Sequence, residues 1–222
     1  RFAMKLQAKT QAHVCWQACA EVVALRRAVH PFIVRLEHAF QTPEFYVLLL
    51  ELCPNGDMNS LLCSTHAEDG RCAGLPPESV ARYGGQVLLA LLHLHEVLGI
   101  IYRDVKPQNI LISDMDEAKL ADFGTARFVG VGERARLSVV GTRGFLAPEL
   151  VLGPCDSESE DDEALADPFK TDAYSFGVTL ELLLLGEDSG EVVDDEEDGH
   201  ACMLPRAHSS EAEALQLLAR AA

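Results

Sequence analysis

The sequence has 222 residues, of which 48% are hydrophobic, and a net charge of −17. This length and composition fit a globular protein of one or two domains, and the acidic balance argues against a nucleic-acid partner. Seven cysteines, an odd number without a CxxC pair, argue against a disulfide framework and a zinc site.

No apolar run approaches the ~20 residues that cross a bilayer, and the first residues lack the apolar region of a signal peptide. We therefore expect no membrane segment and an intracellular protein of the cytoplasm, with the nucleus as the alternative. Two acidic segments carry most of the charge: residues 155–167 hold seven acidic residues and residues 187–199 hold eight, without Lys or Arg. Removing these fifteen charges from −17 leaves −2 for the rest, so we expect two solvated acidic inserts in an ordinary globular protein.

The residue pattern in the first part of the chain predicts one helix among short strands. Residues 1–9 alternate as a strand does, and residues 11–29 have helix-spaced apolar positions without Gly or Pro before Pro31. Two more strands are predicted at residues 33–40 and 45–52, with a short turn between them. The sequence CPNGD that follows is rich in turn residues and predicts a hinge.

The rest of the chain is predominantly helical in pattern. Long helices are predicted at residues 78–99 and 172–186, and a further helix with good capping residues at residues 209–222. Two short strands, at residues 109–112 and 118–123, lie between the two long helices. The pattern therefore predicts an α+β protein with a small β-rich lobe, a hinge and a larger helical lobe.

A polar stretch interrupts the apolar sequence between the two long helices. In IIYRDVKPQNILI, residues 100–112, charged side chains lie between apolar runs, where they are costly unless they are paired or perform chemistry. Three motifs follow in order: DFG at 122–124, GT at 141–142 and APE at 147–149. Upstream, Lys5 lies on the first predicted strand and Glu21 on the helix after it.

Together these residues resemble the catalytic domain of eukaryotic protein kinases, whose signature is a strand lysine, HRD-x-x-x-x-N, DFG and APE. The resemblance extends from Phe2 to about Arg220. YRD in place of HRD, and the sequence SVVGTRGFLAPE, are similar to the AGC group of serine/threonine kinases. Lys106, two residues after Asp104, also favours serine/threonine specificity.

The resemblance implies a bilobal kinase-like fold. A partial small lobe and hinge would occupy residues 1–52, and a mostly helical large lobe residues 53–222, with the acidic inserts inside it. Because the resemblance begins at the family's third strand, we expect the first strands and the Gly-rich loop to be missing. We also expect truncation at the other end, before the family's last helices.

The resemblance further implies transfer of the γ-phosphoryl group of ATP to Ser or Thr hydroxyls of a protein substrate. Asp104 would orient the hydroxyl and accept its proton, next to Thr142, and Lys106 would neutralise the γ-phosphate. Asn109 and Asp122 would provide oxygen ligands for Mg²⁺.

The same resemblance implies an ATP site between the lobes. Lys5 would bind the α- and β-phosphates and be held by Glu21, and backbone groups of Glu51 and Cys53 would bond the adenine edge. The remaining predicted ATP-binding residues are Leu50 as gatekeeper, Ala3 and Leu111 on either side of the ring, Asp57 at the ribose and Asp122 at the metal.

A regulatory site is also implied. Ser138, between DFG and APE, lies where AGC kinases carry their activating phosphorylation, which implies an upstream activating kinase as a partner. A phosphoserine has a charge of about −1.5 to −2 at neutral pH, and Arg103 and Arg127 would bind it. Four residues match the family's stacked regulatory spine: Leu25, Leu36, Tyr102 and Phe123.

Besides the truncation at both ends, two positions linked to substrate choice depart from the family pattern. Gln108 and Leu182 stand where AGC kinases that prefer basic substrates have acidic residues, which weakens the expectation of arginine-directed substrates. The missing Gly-rich loop favours a pseudokinase, a binding or scaffolding module, as the alternative. Intact Lys5, Asp104 and Asp122 favour the enzyme, and the APE segment argues against a kinase of small molecules.

Overall fold

The computed structural model describes residues 1–9, 12–65, 72–131, 139–151 and 167–186. The acidic inserts apart from Asp167, the helix predicted at 209–222 and the phosphorylation site predicted at Ser138 lie outside the described residues.

The small lobe is a three-stranded antiparallel sheet with one helix. Its strands follow the order β1-β3-β2, and the helix is α1. These elements span Phe2–Ala8 (β1), Ala12–Arg27 (α1), Leu36–Gln41 (β2) and Phe45–Glu51 (β3). Each of the predicted elements in this part of the chain is therefore present, and α1 ends shortly before Pro31, which cannot continue a helix.

The two faces of β1 differ from what its apolar alternation suggests. Phe2, Met4 and Leu6 are 56%, 61% and 50% exposed. The alternate residues, Lys5 among them, are partly buried and face α1. The alternation thus predicted the strand correctly, but the side of the strand that matters for the site is the polar one.

The hinge ends in a short helix that sequence analysis did not predict. Helix α2 spans Met58–Cys63, and Asp57 is its N-cap, with a carboxylate oxygen accepting a bond of 2.7 Å from the Ser60 amide. Gly56, just before the cap, has a φ of 78°, a conformation that favours glycine. An aspartate placed before a helical turn is a typical start signal.

Two long helices form the frame of the large lobe. Helix α3 spans Pro77–Leu92 and continues as a π-helical turn over His93–Leu98. It ends at Gly99, where φ is 61° and a Cβ would lie 2.8 Å from the Gly130 backbone. Helix α5 spans Pro168–Leu185 and begins four residues earlier than predicted, because Asp167 caps it. A short helix, α4, spans Pro148–Val151.

Two antiparallel strand pairs hold the polar stretch between α3 and α5. These are β4 (Ile100–Ile101) with β7 (Arg127–Phe128), and β5 (Ile110–Ile112) with β6 (Ala118–Leu120). The polar residues occupy the loop between β4 and β5, which contains one 3-10 turn at Pro107–Asn109. The strands on either side are buried except for Leu111, which is partly exposed, so this loop is anchored at both ends.

One hydrophobic core extends through both lobes. Leu25 and Leu48 of the small lobe belong to the same buried cluster as Tyr102 and Phe123 of the large lobe. The rings of Tyr102 and Phe123 meet edge to face at 5.3 Å, a geometry that aromatic pairs prefer. Leu36 packs against this cluster, so the four predicted spine residues lie along one core.

The β-rich first part and the helical second part confirm the predicted α+β, bilobal fold class. In the described ranges, we find no helix with the length and apolar character that a membrane span requires.

Candidate active site

Lys5 lies at the centre of the first group of charges. Its Nζ is 2.7 Å from Glu21 Oε1 and 2.8 Å from Asp122 Oδ1. Glu21 is fully buried, and its other oxygen accepts a bond of 2.9 Å from Gln7 Nε2. A buried carboxylate is costly unless it is paired, so Lys5 and Gln7 bind α1 to β1 through Glu21. A strand, a helix and the DFG motif thus meet at one lysine.

The surroundings of Asp122 and Lys5 shift the pKa of each side chain in the direction that favours its charged form. Burial opposes ionisation of Asp122, but the hydrogen bond and charge of Lys5 outweigh it, so the pKa of Asp122 lies below its ordinary value of 3.8. The Gly124 amide, 3.1 Å from Oδ1, acts in the same direction. Burial also opposes the charge on Lys5, yet Glu21 and Asp122 raise its pKa above 10.5. Both Lys5 and Asp122 are therefore charged at neutral pH.

Asp104 lies at the centre of a second group. One carboxylate oxygen is 2.9 Å from Lys106 Nζ and accepts a bond of 2.7 Å from Asn109 Nδ2. The other accepts a bond of 2.7 Å from Thr142 Oγ1, which itself accepts one of 2.6 Å from Lys106 Nζ. The four residues predicted to be catalytic therefore form one connected network.

Thr142 reaches Asp104 because the preceding residue is glycine. Gly141 has a φ of 132°, and a Cβ on it would lie 2.6 Å from the carbonyl oxygen of Arg103. Any larger residue would push the segment away from the loop that carries Asp104. The GT motif thus brings the two loops together.

A residue that sequence analysis missed anchors the loop that carries Asp104. Asp172, fully buried on α5, accepts bonds of 2.8 Å and 2.7 Å from the amides of Tyr102 and Arg103. His95 Nε2 lies 2.7 Å from the same carboxylate. An acidic residue in the first turns of a buried apolar helix is an unusual feature, and it was the available signal in the sequence.

Tyr102 lies directly before this loop and is itself fully buried. Its hydroxyl donates a hydrogen bond to the carbonyl oxygen of Ala121. Burial raises the pKa of this phenol well above 10, and the carboxylates of Asp104 and Asp122 raise it further. The phenol is therefore a neutral donor that links β4 to the DFG segment.

Arg103 and Arg127, the predicted phosphate contacts, lie close to each other. Burial lowers the pKa of Arg103, and the nearby charge of Arg127 lowers it further. Arg103 Nε donates a bond of 2.6 Å to the carbonyl of Thr125, and Arg127 pairs with Ile101 in the strand ladder. The charges of the two guanidinium groups are therefore near enough to act on each other.

The residues predicted to surround the adenine ring lie on strands of two different sheets. Ala3 lies opposite Leu50 in the β1–β3 register, and Leu111 forms a strand bridge with Asp57. The Asp57 carboxylate, predicted to bind ribose, bonds the amide and hydroxyl of Ser60 at 2.7 Å and 3.1 Å. This group therefore already caps α2.

Glu51 and Cys53, the residues predicted to bond the adenine edge, have different neighbours. Glu51 bonds Lys119 and the backbone of Arg35. Burial, together with the charge of Glu51, raises the pKa of Cys53 to about 11, so its thiol is protonated at neutral pH.

The two positions linked to basic substrates also differ from each other. Gln108 bonds Asn59 at 3.1 Å near the start of α2. Leu182 is partly buried and packs against the core.

Comparison with known proteins agrees with this architecture. The family model described as "Protein kinase domain" matches residues 1–214. A lysine–glutamate pair beneath a β-sheet and an aspartate-bearing loop in a helical lobe are features of this class. The chain therefore belongs to the protein kinase domain family.

The more specific similarities are to serine/threonine kinases. The chain is 36% identical over 157 residues, 71% of its length, to ribosomal protein S6 kinase alpha-6 of Mus musculus, covering 18% of that protein. It is 35% identical over 192 residues, 83% of its length, to serine/threonine-protein kinase D2 of Rattus norvegicus, covering 20% of it. The chain thus spans about a fifth of the length of these curated relatives. These similarities are consistent with an AGC-like kinase domain.

Proposed function

We propose that this chain catalyses transfer of the γ-phosphoryl group of ATP to Ser or Thr hydroxyls of protein substrates. The observation that carries this proposal is the hydrogen-bonded network of Asp104 with Lys106, Asn109 and Thr142. Phosphoryl transfer requires mainly positioning and charge stabilisation, and this network supplies a carboxylate and a cation beside each other. Similarity to serine/threonine kinases supports the choice of acceptor.

The side-chain oxygen atoms of Asn109 and Asp122 are suited to binding Mg²⁺ together with ATP. Asn109 uses its amide nitrogen for Asp104, which leaves its carbonyl oxygen for another partner. The Asp122 side chain is 52% exposed and has one oxygen engaged with Lys5. Mg²⁺ prefers oxygen ligands and is often bound by one or two protein groups plus substrate phosphates. In the described part of the chain, no cluster of three or more His, Cys, Asp or Glu side chains is suited to a metal.

Each residue of the network has a task in this reaction. Asp104 holds the acceptor hydroxyl through one carboxylate oxygen and takes up its proton as the oxygen bonds phosphorus and the bond to ADP breaks. Lys106 stabilises the charge on the phosphoryl oxygens, and Lys5, held by Glu21, fixes the phosphates of the nucleotide. Mg²⁺, when bound, neutralises charge on the β- and γ-phosphates.

The proposal also covers regulation by phosphorylation, partners and location in the cell. Phosphorylation of Ser138 by an upstream kinase would place a dianion near Arg103 and Arg127, whose mutual repulsion it would relieve. The net charge of −17 opposes binding of nucleic acid. We propose an intracellular protein of the cytoplasm or nucleus, because ATP and protein substrates are available there.

Two aspartate variants separate the proposed roles. In the full-length gene product, Asp122→Asn should weaken binding of Mg²⁺–ATP, because it removes a metal ligand. Asp104→Asn should leave nucleotide affinity largely unchanged and lower kcat by about 10²–10⁴-fold, the range for loss of general-base catalysis. Nucleotide affinity is measured by calorimetry and kcat by phosphate transfer from labelled ATP to a generic Ser/Thr substrate.

Asp116→Asn is the matched control, since Asp116 lies on an exposed turn with a φ of 60°, which Asn tolerates. It should leave both quantities unchanged. Equal losses of nucleotide affinity in Asp104→Asn and Asp122→Asn would contradict the assignment, and a wild-type protein that binds ATP without phosphoryl transfer would contradict the proposed activity.

A further inference from the structure

An ion pair next to the hinge joins the two lobes and takes no part in the networks around Lys5 and Asp104. Lys119 Nζ, on β6 of the large lobe, is 2.9 Å from Glu51 Oε1, at the end of β3 in the small lobe. The two side chains are only 10% and 25% exposed. Because the pair is largely buried, salt screens its attraction only weakly. The attraction therefore holds the end of β3 close to β6.

Glu51 is also fixed from the side of the small lobe. Its second carboxylate oxygen accepts a bond of 3.2 Å from the Arg35 amide, and its own amide donates one of 2.9 Å to the Arg35 carbonyl. The side chain therefore cannot turn away from Lys119 without breaking a bond to the segment before β2. Glu51 connects the hinge, the small lobe and β6.

The other end of the hinge is bound to the same hairpin. The Asn55 amide donates a bond of 3.3 Å to Ile112, and its side-chain amide one of 2.7 Å to Ser113. Both acceptors lie at the end of β5, which pairs with β6 so that Leu111 is opposite Lys119. The β5–β6 hairpin thus holds the hinge at both ends and also carries Leu111.

We propose that Lys119 is a positioning residue that sets the distance between the hinge and the β5–β6 hairpin, and thereby the affinity for the adenine nucleotide. The inference rests on the proposed function, in which hinge backbone groups and Leu111 contact adenine. Lys119 acts through Glu51 and touches neither the phosphates nor the acceptor hydroxyl. It should therefore affect nucleotide binding and not the phosphoryl-transfer step.

The test compares nucleotide affinity with turnover in the full-length gene product. Lys119→Met should raise the Kd for Mg²⁺–ATP by roughly tenfold, as expected for losing one shielded, hydrogen-bonded ion pair, with kcat at saturating ATP within about twofold of wild type. Glu51→Gln should have a similar effect, and the double variant should be little worse than either single one, because both remove the same interaction. Lys119→Arg should restore most of the affinity.

Arg82→Met is the matched control, since it removes an exposed pair with Asp116 at 2.7 Å on the same lobe and should leave the Kd unchanged. Amide exchange of Asn55 in the nucleotide-free protein is an independent measurement, which Lys119→Met should accelerate and Arg82→Met should not. Unchanged affinity and exchange in Lys119→Met would overturn the inference, as would equal losses of affinity and kcat. A protein that binds ATP with the expected dependence on Lys119 but transfers no phosphate would overturn the proposed function alone.

Discussion

Arg103 has a φ of 72°, in a region that is costly for residues other than glycine. Such a conformation costs about 1–3 kcal/mol and persists only when its surroundings impose it. Here the amides of Tyr102 and Arg103 both donate to the Asp172 carboxylate, at 2.8 Å and 2.7 Å. Hydrogen bonds to a buried charge are stronger than neutral ones, so Asp172 offsets the strain and fixes the direction of Asp104.

We expect Asp172→Asn to destabilise the fold and to lower kcat. An asparagine has one acceptor oxygen in place of two, and its NH₂ group would face a backbone amide or His95. The free energy of unfolding should fall by about 2–4 kcal/mol, as for other broken buried charge networks, and is measured by urea denaturation.

Ser175→Ala on the same helix is the control for this variant. It removes a neutral hydroxyl that lies 2.6 Å from the Phe145 carbonyl oxygen and 3.0 Å from that of Thr171, and it should cost only about 1 kcal/mol. If Asp172→Asn were no more destabilising than Ser175→Ala, the anchoring role of Asp172 would be wrong.

The site could be predicted from sequence only where motifs mark it. Lys5, Glu21 and Asp122 were brought together by their order within a known pattern, and the structure places them within bonding distance. Asp172 lies 69 residues from Arg103 and accepts a hydrogen bond from its backbone amide. No local pattern marks such a contact, because any residue with an amide could be the partner.

At the scale of elements, Asp57 combines a role that the structure shows with a role that the family resemblance implies. Its carboxylate caps α2 through the Ser60 amide, and the family resemblance places it at the ribose. Asp57→Ala should lower the free energy of unfolding by about 1 kcal/mol, the usual cost of losing an N-cap, and should also weaken ATP binding.

Asp57→Ser distinguishes the two roles, because a serine hydroxyl caps a helix as well as a carboxylate does but is shorter by one heavy atom. Stability should return to the wild-type value in thermal denaturation, while ATP affinity should stay low. Full recovery of both quantities would show that Asp57 serves α2 alone.

Element types were predicted more reliably than their ends and faces. The apolar alternation of β1 identified a strand, but not that Phe2 and Met4 point to solvent, since that depends on where Lys5 must reach Glu21. The helix predicted to Gly99 ends as a π-helical turn, a change in hydrogen bonding that has no clear pattern in sequence. Gly99 marked its end correctly.

At the scale of the whole molecule, the lobes are connected by charges as well as by the hinge. Lys5 bonds Asp122, and Lys119 bonds Glu51, so each lobe supplies one lysine and one carboxylate. The first pair lies where the phosphates of ATP are proposed to bind, and the second lies beside the proposed adenine pocket. The relative position of the lobes is therefore fixed on both sides of the proposed nucleotide site.

Stability should fall at alkaline pH because of Tyr102. Below pH of about 10 the phenol is protonated in both the folded and unfolded chains, so its full contribution is present. Above that value only the unfolded chain releases the proton, because burial keeps the folded pKa well above 10. The free energy of unfolding should therefore decrease by up to about 1.4 kcal/mol per pH unit from this group.

Denaturation series at several alkaline pH values measure this slope. Tyr102→Phe should have a shallower slope than wild type, whereas Tyr174→Phe, at a 43% exposed position, should keep the wild-type slope. Identical slopes in all three proteins would exclude Tyr102 as the cause.

The burial of Tyr102 also gives the molecule an internal optical indicator. Phenolate absorbs ultraviolet light at longer wavelength than phenol, so an alkaline spectrum counts ionised tyrosines. The chain has four tyrosines, and the one beneath the catalytic loop should add its absorbance only when the large lobe opens. Tyr83 is also buried and has a raised pKa, so the signal of Tyr102 is the increment that Tyr102→Phe lacks. The time course of that increment after a jump to high pH would report how fast the core under Asp104 is exposed, without any attached label.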